Sequence, residues 1–273
     1  MSLNLNYIRK VNFSNHRKRI KEYINVDINN WYKNPYTYIK SRYYNELSSL
    51  IVFFLQYTKV TPNFLTLIYA FLGLISGIFL ASNNNILILI SLIILFSKNA
   101  LDWADGLLAR FKKSESNLGE LLDHWAGHVI TNSYLCGLGV YLYNRSNEEH
   151  FLFLAIIILL IKLLDLKNYA YHFSMYKILH LNKKKQTIKG IHQNKNKYGT
   201  SNYFVPIKYF LQNFLDERSR TIDFICLLIF IDTFYIDLVL INYIYYLIIL
   251  RVFALFCGGF YIMYFRNFLG KMK

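Results

Sequence analysis

Cysteine is nearly absent from this chain. Its three copies, Cys136, Cys226 and Cys257, lie inside apolar stretches and lack the paired spacing of a zinc site. That excludes a disulfide-stapled scaffold and leaves the thiols as small packing groups. The first 40 residues hold no apolar run of the kind a cleavable signal peptide needs, so the first hydrophobic helix is expected to act as its own insertion signal. No internal repeat with a period of roughly 20–50 residues is present, which excludes solenoids and propellers. Acidic residues are also few, with 16 against 31 Lys and Arg, for a net charge of +15. So basic a chain either binds nucleic acid or carries basic loops beside a membrane. The positions of the charges decide between these.

What the chain has in abundance is apolar sequence, 55% of its residues. Six stretches, at about 64–82, 86–103, 118–143, 151–170, 219–236 and 241–265, approach the length of a membrane span, which is roughly 20 residues of helix. The last two divide one long tract, Thr221 to Phe265, near Asp232, Asp237 and Asn242. Backbone polar groups in lipid must be satisfied within their own segment, so these spans are expected to be helical. The expected fold is an all-α integral membrane protein of six transmembrane helices with an N-terminal interfacial amphipathic helix. A soluble helical bundle is the alternative, and the run lengths disfavour it. Ten Lys and Arg lie in residues 1–62 and ten more in 171–220, while loops 83–85, 144–150 and 235–242 hold only Arg145. With the N-terminus inside, those three loops are all external, and the positive-inside rule is satisfied. The charge is topological. It implies a multi-pass protein whose partners include membrane lipids and no nucleic acid.

Residues 1–44 are polar, aromatic and basic and read as a cytoplasmic extension; residues 45–273 read as the membrane domain. Glu46–Tyr57 reads as the interfacial helix, with Leu50, Ile51, Phe53, Phe54 and Leu55 apolar. Thr61 is placed to cap the next helix, and Pro62 suits its first turn. The loop at about 171–220 contains Lys183-Lys184-Lys185. It reads as a solvated basic loop near anionic headgroups, with substrate recognition as the alternative.

Three aspartates stand where two consecutive apolar helices meet the cytoplasmic face. Asp102 and Asp105 are three residues apart and share a helix face, as do Gly119 and Asp123 at a spacing of four. Carboxylates at the ends of spans are costly and by default functional. Anions so close together repel, and a hard divalent cation bound by oxygen ligands relieves the repulsion. Structural ion pairing with Arg110, Lys112 and Lys113 is the alternative, but it does not account for the glycines. Glycine costs roughly 1 kcal/mol relative to alanine within a helix. Gly106 and Gly119, with Ala109, leave room for a ligand against the backbone, and Arg110 offers a fork of donors to a phosphate.

The run Asp102-Trp-Ala-Asp105-Gly106-Leu-Leu-Ala109-Arg110, followed after eight residues by Gly119 and then Asp123, resembles the signature of the CDP-alcohol phosphotransferase family. The resemblance extends over about residues 45–265. It implies an enzyme that moves a substituted phosphoryl group from a CDP-alcohol donor to an acceptor hydroxyl, releasing CMP, in phospholipid or envelope-polymer synthesis. It further implies Mg2+ or Mn2+ held by Asp102, Asp105 and Asp123, and a nucleotide site formed by Gly106, Ala109, Arg110 and Gly119. The acceptor would be a lipid or a small alcohol, the active site cytoplasmic, and the assembly a homodimer.

The signature ends in an aspartate that should fall at residue 127, where this chain has Gly127. In the family that residue helps to bind a second metal and is the expected general base, so both roles are in doubt here. Glu120, His124 and His128 recur every four residues and form one stripe beside Asp123. A histidine is a competent base near neutral pH. His128, beside the missing position, is the first candidate and His124 the second; a role without chemistry is the alternative for both. Arg218 and Arg220 could bind a phosphorylated acceptor or anchor the interface. Asn63 could cap a helix or touch ligand. Two other functions compete with the enzyme: a catalytically impaired relative that binds nucleotide or metal as a partner subunit, and a cation transporter. The Gly/Ala/Arg spacing disfavours the transporter.

Overall fold

Eight helices make up the regular structure among the described residues of this computed structural model, which are 4–24, 35–164, 219–235 and 239–265. They are α1 (Leu5–Ile24), α2 (Pro35–Leu55), α3 (Pro62–Leu80), α4 (Asn85–Phe111), α5 (Asn117–Ser146), α6 (His150–Leu163), α7 (Ser219–Phe234) and α8 (Leu240–Phe265). Local chemistry sets their ends. The Thr61 side chain accepts from the Phe64 N–H and Pro62 follows it, as the sequence predicts for the start of α3. Asn84 caps α4 through the Ile86 N–H at 2.8 Å. Helix α4 stops where Lys113 adopts φ 51°. There the Ser114 N–H turns back to the Ala109 carbonyl at 2.9 Å, satisfying an acceptor that the helix end would leave open.

Helix α3 is inside-out by the standards of a soluble protein. Phe64, Leu67, Phe71, Leu74 and Ile78 recur along one face and are exposed. The opposite face buries Leu65, Thr66, Tyr69, Ala70, Gly73, Ser76, Gly77 and Leu80. Between the two leucines the inward residues are mostly small or polar while large apolar ones face out, the arrangement of a helix whose surroundings are lipid. Helices α3, α4 and residues Leu240–Gly258 of α8 are long and apolar enough to cross a membrane. They match three of the expected spans. The other expected spans coincide in part with α5, α6 and α7. Helix α5 carries Glu120, Asp123, His124, His128 and Asn132 along its first half. Helices α6 and α7 have only 14 and 16 residues. The remainder of the expected 151–170 span, and most of the 171–220 loop, lie outside the described residues.

The chain divides into two compact units, residues 1–134 and 135–273. In the first, α3 and α4 form an antiparallel hairpin, α2 packs on α4, and α1 packs on α2. The interfacial helix expected over 46–57 is longer than the sequence suggests, starting at Pro35 and ending at Leu55. It is packed rather than free: Tyr44, Asn45, Ser48, Ser49 and Val52 are buried. The Asn12 amide of α1 donates to Ser48 Oγ at 2.8 Å and Ser49 Oγ at 3.2 Å, a polar seam between the two helices. Ile8 of α1 joins Val52, Leu65, Ala104, Leu107 and Leu108 in one apolar cluster. Polar composition concealed α1 because hydrogen bonds, an ion pair and ring contacts accompany a single aliphatic anchor, Ile8.

The first part of α5 meets α3 at two glycines. A Cβ on Gly73 would fall on the Ile130 side chain, and one on Gly77 would fall on the Ser133 backbone carbonyl. In the second unit, α8 packs on α6 and α7. Asp232 of α7 is buried, receives the Tyr141 hydroxyl, and pairs with Arg145 Nε at 3.3 Å. The buried Tyr245 donates to the Leu135 carbonyl at 3.3 Å. Cys136, Cys226 and Cys257 are free thiols, as their spacing indicates.

Glycine-to-alanine changes at Gly77 and Gly127 are expected to have opposite signs. Alanine at 127 meets nothing within 4 Å, so it should stabilise the helix by up to about 1 kcal/mol. Alanine at 77 meets backbone that cannot yield, and should cost roughly 1–3 kcal/mol. Unfolding of the purified variants in detergent measures both; equal effects would contradict the close α3–α5 approach.

Candidate active site

The aspartates of the motif sit at the ends of α4 and α5 that a short connection joins. Asp105 is 6% exposed, Asp102 is half-buried and Asp123 is exposed. Inside an otherwise apolar helix, a carboxylate needs a donor aimed at it. Thr66 of α3 supplies one: its Oγ1 lies 2.5 Å from Asp105 Oδ2, and 3.2 Å from the Pro62 carbonyl. The hydroxyl has one proton, and the shorter contact to an anion is the stronger claim on it. One turn further along α3, the buried Tyr69 feels the charges of Asp102, Asp123 and Asp105 together. Asp123 and Arg110 also act on Asp105. Carboxylates from two helices and two hydroxyls from a third therefore share one electrostatic neighbourhood.

The small residues of the motif lie on the same two helix ends. A Cβ on Gly106 would come 3.5 Å from Arg110 Nη1, so the guanidinium folds back along α4 over that glycine. A Cβ on Gly119 would come 3.1 Å from Asn63 Oδ1 and 3.3 Å from Ser116 Oγ. Asn63 thus reaches the first turn of α5, where Ser116 Oγ accepts the Gly119 N–H at 3.0 Å. Lys112 does not pair with the aspartates; its ammonium donates to the Thr58 and Val60 carbonyls at 2.9 and 2.7 Å. That ties the end of α4 to the start of α3 and leaves the carboxylates without this competitor.

His124 and His128 lie against each other, with ring centroids 4.6 Å apart and planes tilted by 60°. Both belong to the same face of α5, as their spacing requires. At Gly127 a Cβ would meet nothing within 4 Å, so the place of the missing carboxylate is open space. Ala109 lies on the last turns of α4, half-buried. Arg218 lies outside the described residues, and so does the side chain of Arg220.

Thr66 and Tyr69 escape a reading of the sequence that looks only for acids and bases. Their signal was the repeat of small and polar residues, Thr66, Tyr69, Ala70, Gly73, Ser76 and Gly77, along an apolar helix. A second omission is the clamp on Trp103, which sits between the two motif aspartates of α4. His16 of α1 stacks on it with centroids 4.1 Å apart, and Tyr44 of α2 meets it edge-on at 5.4 Å. Tyr43 and Tyr44 fix the preceding turn through Ser97 Oγ at 3.0 Å and the Phe96 carbonyl at 2.8 Å.

The fit of a divalent cation rests on the donors. Carboxylate and hydroxyl oxygens are hard ligands suited to Mg2+ or Mn2+, and the buried Asp105 takes its hydrogen bond from a neutral hydroxyl. Among the described residues, no three His, Cys, Asp or Glu side chains are gathered tightly enough to hold a metal by themselves.

No curated protein matches the chain. The sequence profile of the CDP-alcohol phosphatidyltransferase family does, over residues 59–229, a stretch that holds α3, α4, α5 and all the motif residues just described. The match covers more than half of the chain and includes two of the three helices that, among the described residues, are long and apolar enough to cross a membrane: the protein belongs to the CDP-alcohol phosphatidyltransferase family.

Proposed function

We propose that the protein is an active membrane phosphotransferase, moving a substituted phosphoryl group from a CDP-alcohol to an acceptor hydroxyl with release of CMP. The observation that carries this reading is the buried Asp105, held by Thr66 beside a tyrosine that feels all three motif aspartates. Asp102, Asp105 and Asp123 would hold Mg2+ or Mn2+. When bound, the cation offsets charge on the phosphoryl oxygens. Arg110 binds the nucleotide phosphates, and Gly106, Ala109 and Gly119 let the cytidine portion approach the backbone. The acceptor oxygen bonds to the phosphorus farther from cytidine. The bond from that phosphorus to the bridging oxygen breaks, and CMP leaves with the electron pair. The hydroxyl proton passes to His128, whose ring His124 contacts at a 60° tilt. Arg218 and Arg220 are candidate contacts for a phosphorylated acceptor.

The same reading places six spans in the membrane, with the N-terminus and the aspartates on the cytoplasmic side and two copies in the functional unit. It is supported by the placement of basic residues in 1–62 and 171–220. Donor and acceptor belong to lipid or envelope-polymer synthesis: CDP-diacylglycerol with a small alcohol, or a CDP-linked small alcohol with a lipid or glycan.

One observation favours a second reading. The open space at Gly127 holds no acid, which suits a relative that binds nucleotide or metal as a partner subunit without turnover. A screen of CDP-linked donors and acceptor alcohols, following CMP in detergent with Mg2+ or Mn2+, separates the two. The active enzyme releases CMP; the impaired relative binds the donor and releases none.

Asp105→Asn is expected to lower CMP release by at least about a hundredfold. Thr66→Val, which leaves the carboxylate but removes its donor, should lower it by about 10–100-fold. Equal activity in Asp105→Asn and the unaltered protein would remove the aspartate site.

His128→Ala should lower kcat by about 10²–10⁴-fold with little change in KM for the donor. The limb of the pH profile that reports the base should be lost with it. A normal profile in His128→Ala, with loss in His124→Ala, would transfer the role to His124.

A further inference from the structure

Helix α1 precedes the stretch that matches the family, yet it lies along the motif. Two ring contacts fix its course. Tyr7 meets Phe111 with centroids 6.5 Å apart, and His16 meets Trp103 with centroids 4.1 Å apart and planes tilted by 42°. The step from Tyr7 to His16 along α1 and the step back from Phe111 to Trp103 along α4 both come to about 12–14 Å of helix rise. Helix α1 therefore runs antiparallel to α4 beside the stretch Asp102 to Arg110. Between the two pins, Ile8 joins Ala104, Leu107 and Leu108 in one apolar cluster. Ile8, Asn12 and His16 follow at spacings of four, so a single stripe of α1 makes these contacts and the bonds to Ser48 and Ser49. The buried Tyr44 of α2 also meets Trp103, edge-on. Two residues are just over half a turn of helix, so Trp103 and Asp105 point to nearly opposite sides of α4. Thr66 holds the helix on the side of Asp105; His16 and Tyr44 hold it on the side of Trp103.

We propose that His16 is a positioning residue of the active site: its ring, set against Trp103, holds the rotation of α4 at which Asp102 and Asp105 face the reaction. This rests on the reading of those aspartates as residues of the phosphotransfer site. A side chain stands about 5 Å from its helix axis, so turning α4 by about 10° moves it by roughly 1 Å. A shift of that size can cost about a hundredfold in rate. It would also part Asp105 from the Thr66 hydroxyl, now 2.5 Å away. One hydrogen bond fixes a point on the helix; a second contact on the opposite side fixes its rotation. A ring pair suits that task because it has preferred geometries, whereas aliphatic contact is non-directional. His16 touches no reacting atom, and its effect passes through Trp103. The extension before α3 is by this account part of the catalytic unit.

Two readouts on the full chain in detergent test this. The first is CMP release. His16→Ala should lower kcat by about tenfold, less than the full cost of misplacement because Tyr44 still meets Trp103. KM for the donor should stay within about twofold, since the long Arg110 side chain can follow a small turn of α4 and the short carboxylates cannot. His16→Phe, which keeps a ring against Trp103, should restore most of the rate. In a Trp103→Leu background, His16→Ala should cost nothing more. The second readout needs no turnover: amide hydrogen exchange across residues 101–111 should quicken by about tenfold in His16→Ala and return in His16→Phe. An unchanged kcat in His16→Ala overturns the proposal. So does an equal loss in His16→Ala and His16→Phe, or an undiminished loss in the Trp103→Leu background. Should His16→Ala fail to fold, Tyr7→Ala against Tyr7→Phe makes the same comparison at the other pin. If the unaltered protein releases no CMP from any donor, the phosphotransfer reading fails, and hydrogen exchange still decides whether His16 holds α4.

Discussion

Asp105 is a carboxyl group almost wholly withdrawn from solvent, in a helix that is otherwise apolar for most of its length. Burying a polar group without a hydrogen-bond partner is costly, so the surroundings of this one side chain are tightly specified. Thr66 must lie opposite it, which sets the register of α3 against α4. That register is held from the other end of the hairpin by the Asn84 cap and by Ser91 Oγ donating to the Ser76 carbonyl at 2.7 Å. Lys112 closes the near end by reaching the carbonyls that precede α3. The hairpin is thus fastened above and below the acid by groups that do not bond to it.

The same economy governs the helices around it. Where lipid is the solvent, large apolar side chains gain little by turning inward, and close contact comes from small residues and hydrogen bonds. Gly73 and Gly77 let α5 approach α3 until the next atom would be a clash. Asn12, Ser48 and Ser49 join α1 to α2 with amide and hydroxyl contacts. Helix α5 changes character along its length. Its first turns carry Asp123, His124 and His128, while its last turns, in the second unit, present Tyr141 and Arg145 to Asp232. One long helix can serve both ends because polar chemistry is concentrated at its start and its middle packs on small residues.

Membership of the CDP-alcohol phosphatidyltransferase family makes Gly127 the most informative departure in the chain. Where the family signature ends in an acid, this chain has a glycine facing open space. The imidazoles of His124 and His128, in contact with their planes tilted by 60°, adjoin that position in the sequence.

The sequence by itself determined the helical class, the positions of α3, α4 and α8 as apolar helices, the Thr61 cap, the free cysteines and the motif that marks the family. Each is a local property, legible from run length, capping chemistry or spacing. It did not disclose α1, because a polar helix packed through Asn12 and a stacked His16 leaves no apolar stripe to read. Nor did it disclose Thr66 and Tyr69, since a hydroxyl becomes a partner for a carboxylate only when another helix brings it within 2.5 Å. Which cation answers Asp232 was equally hidden; the tertiary structure chose Arg145. Spacing along one chain fixes which groups share a face. Only the packing of one helix on another decides which face meets which, and in this protein that decision is made where Thr66 meets Asp105.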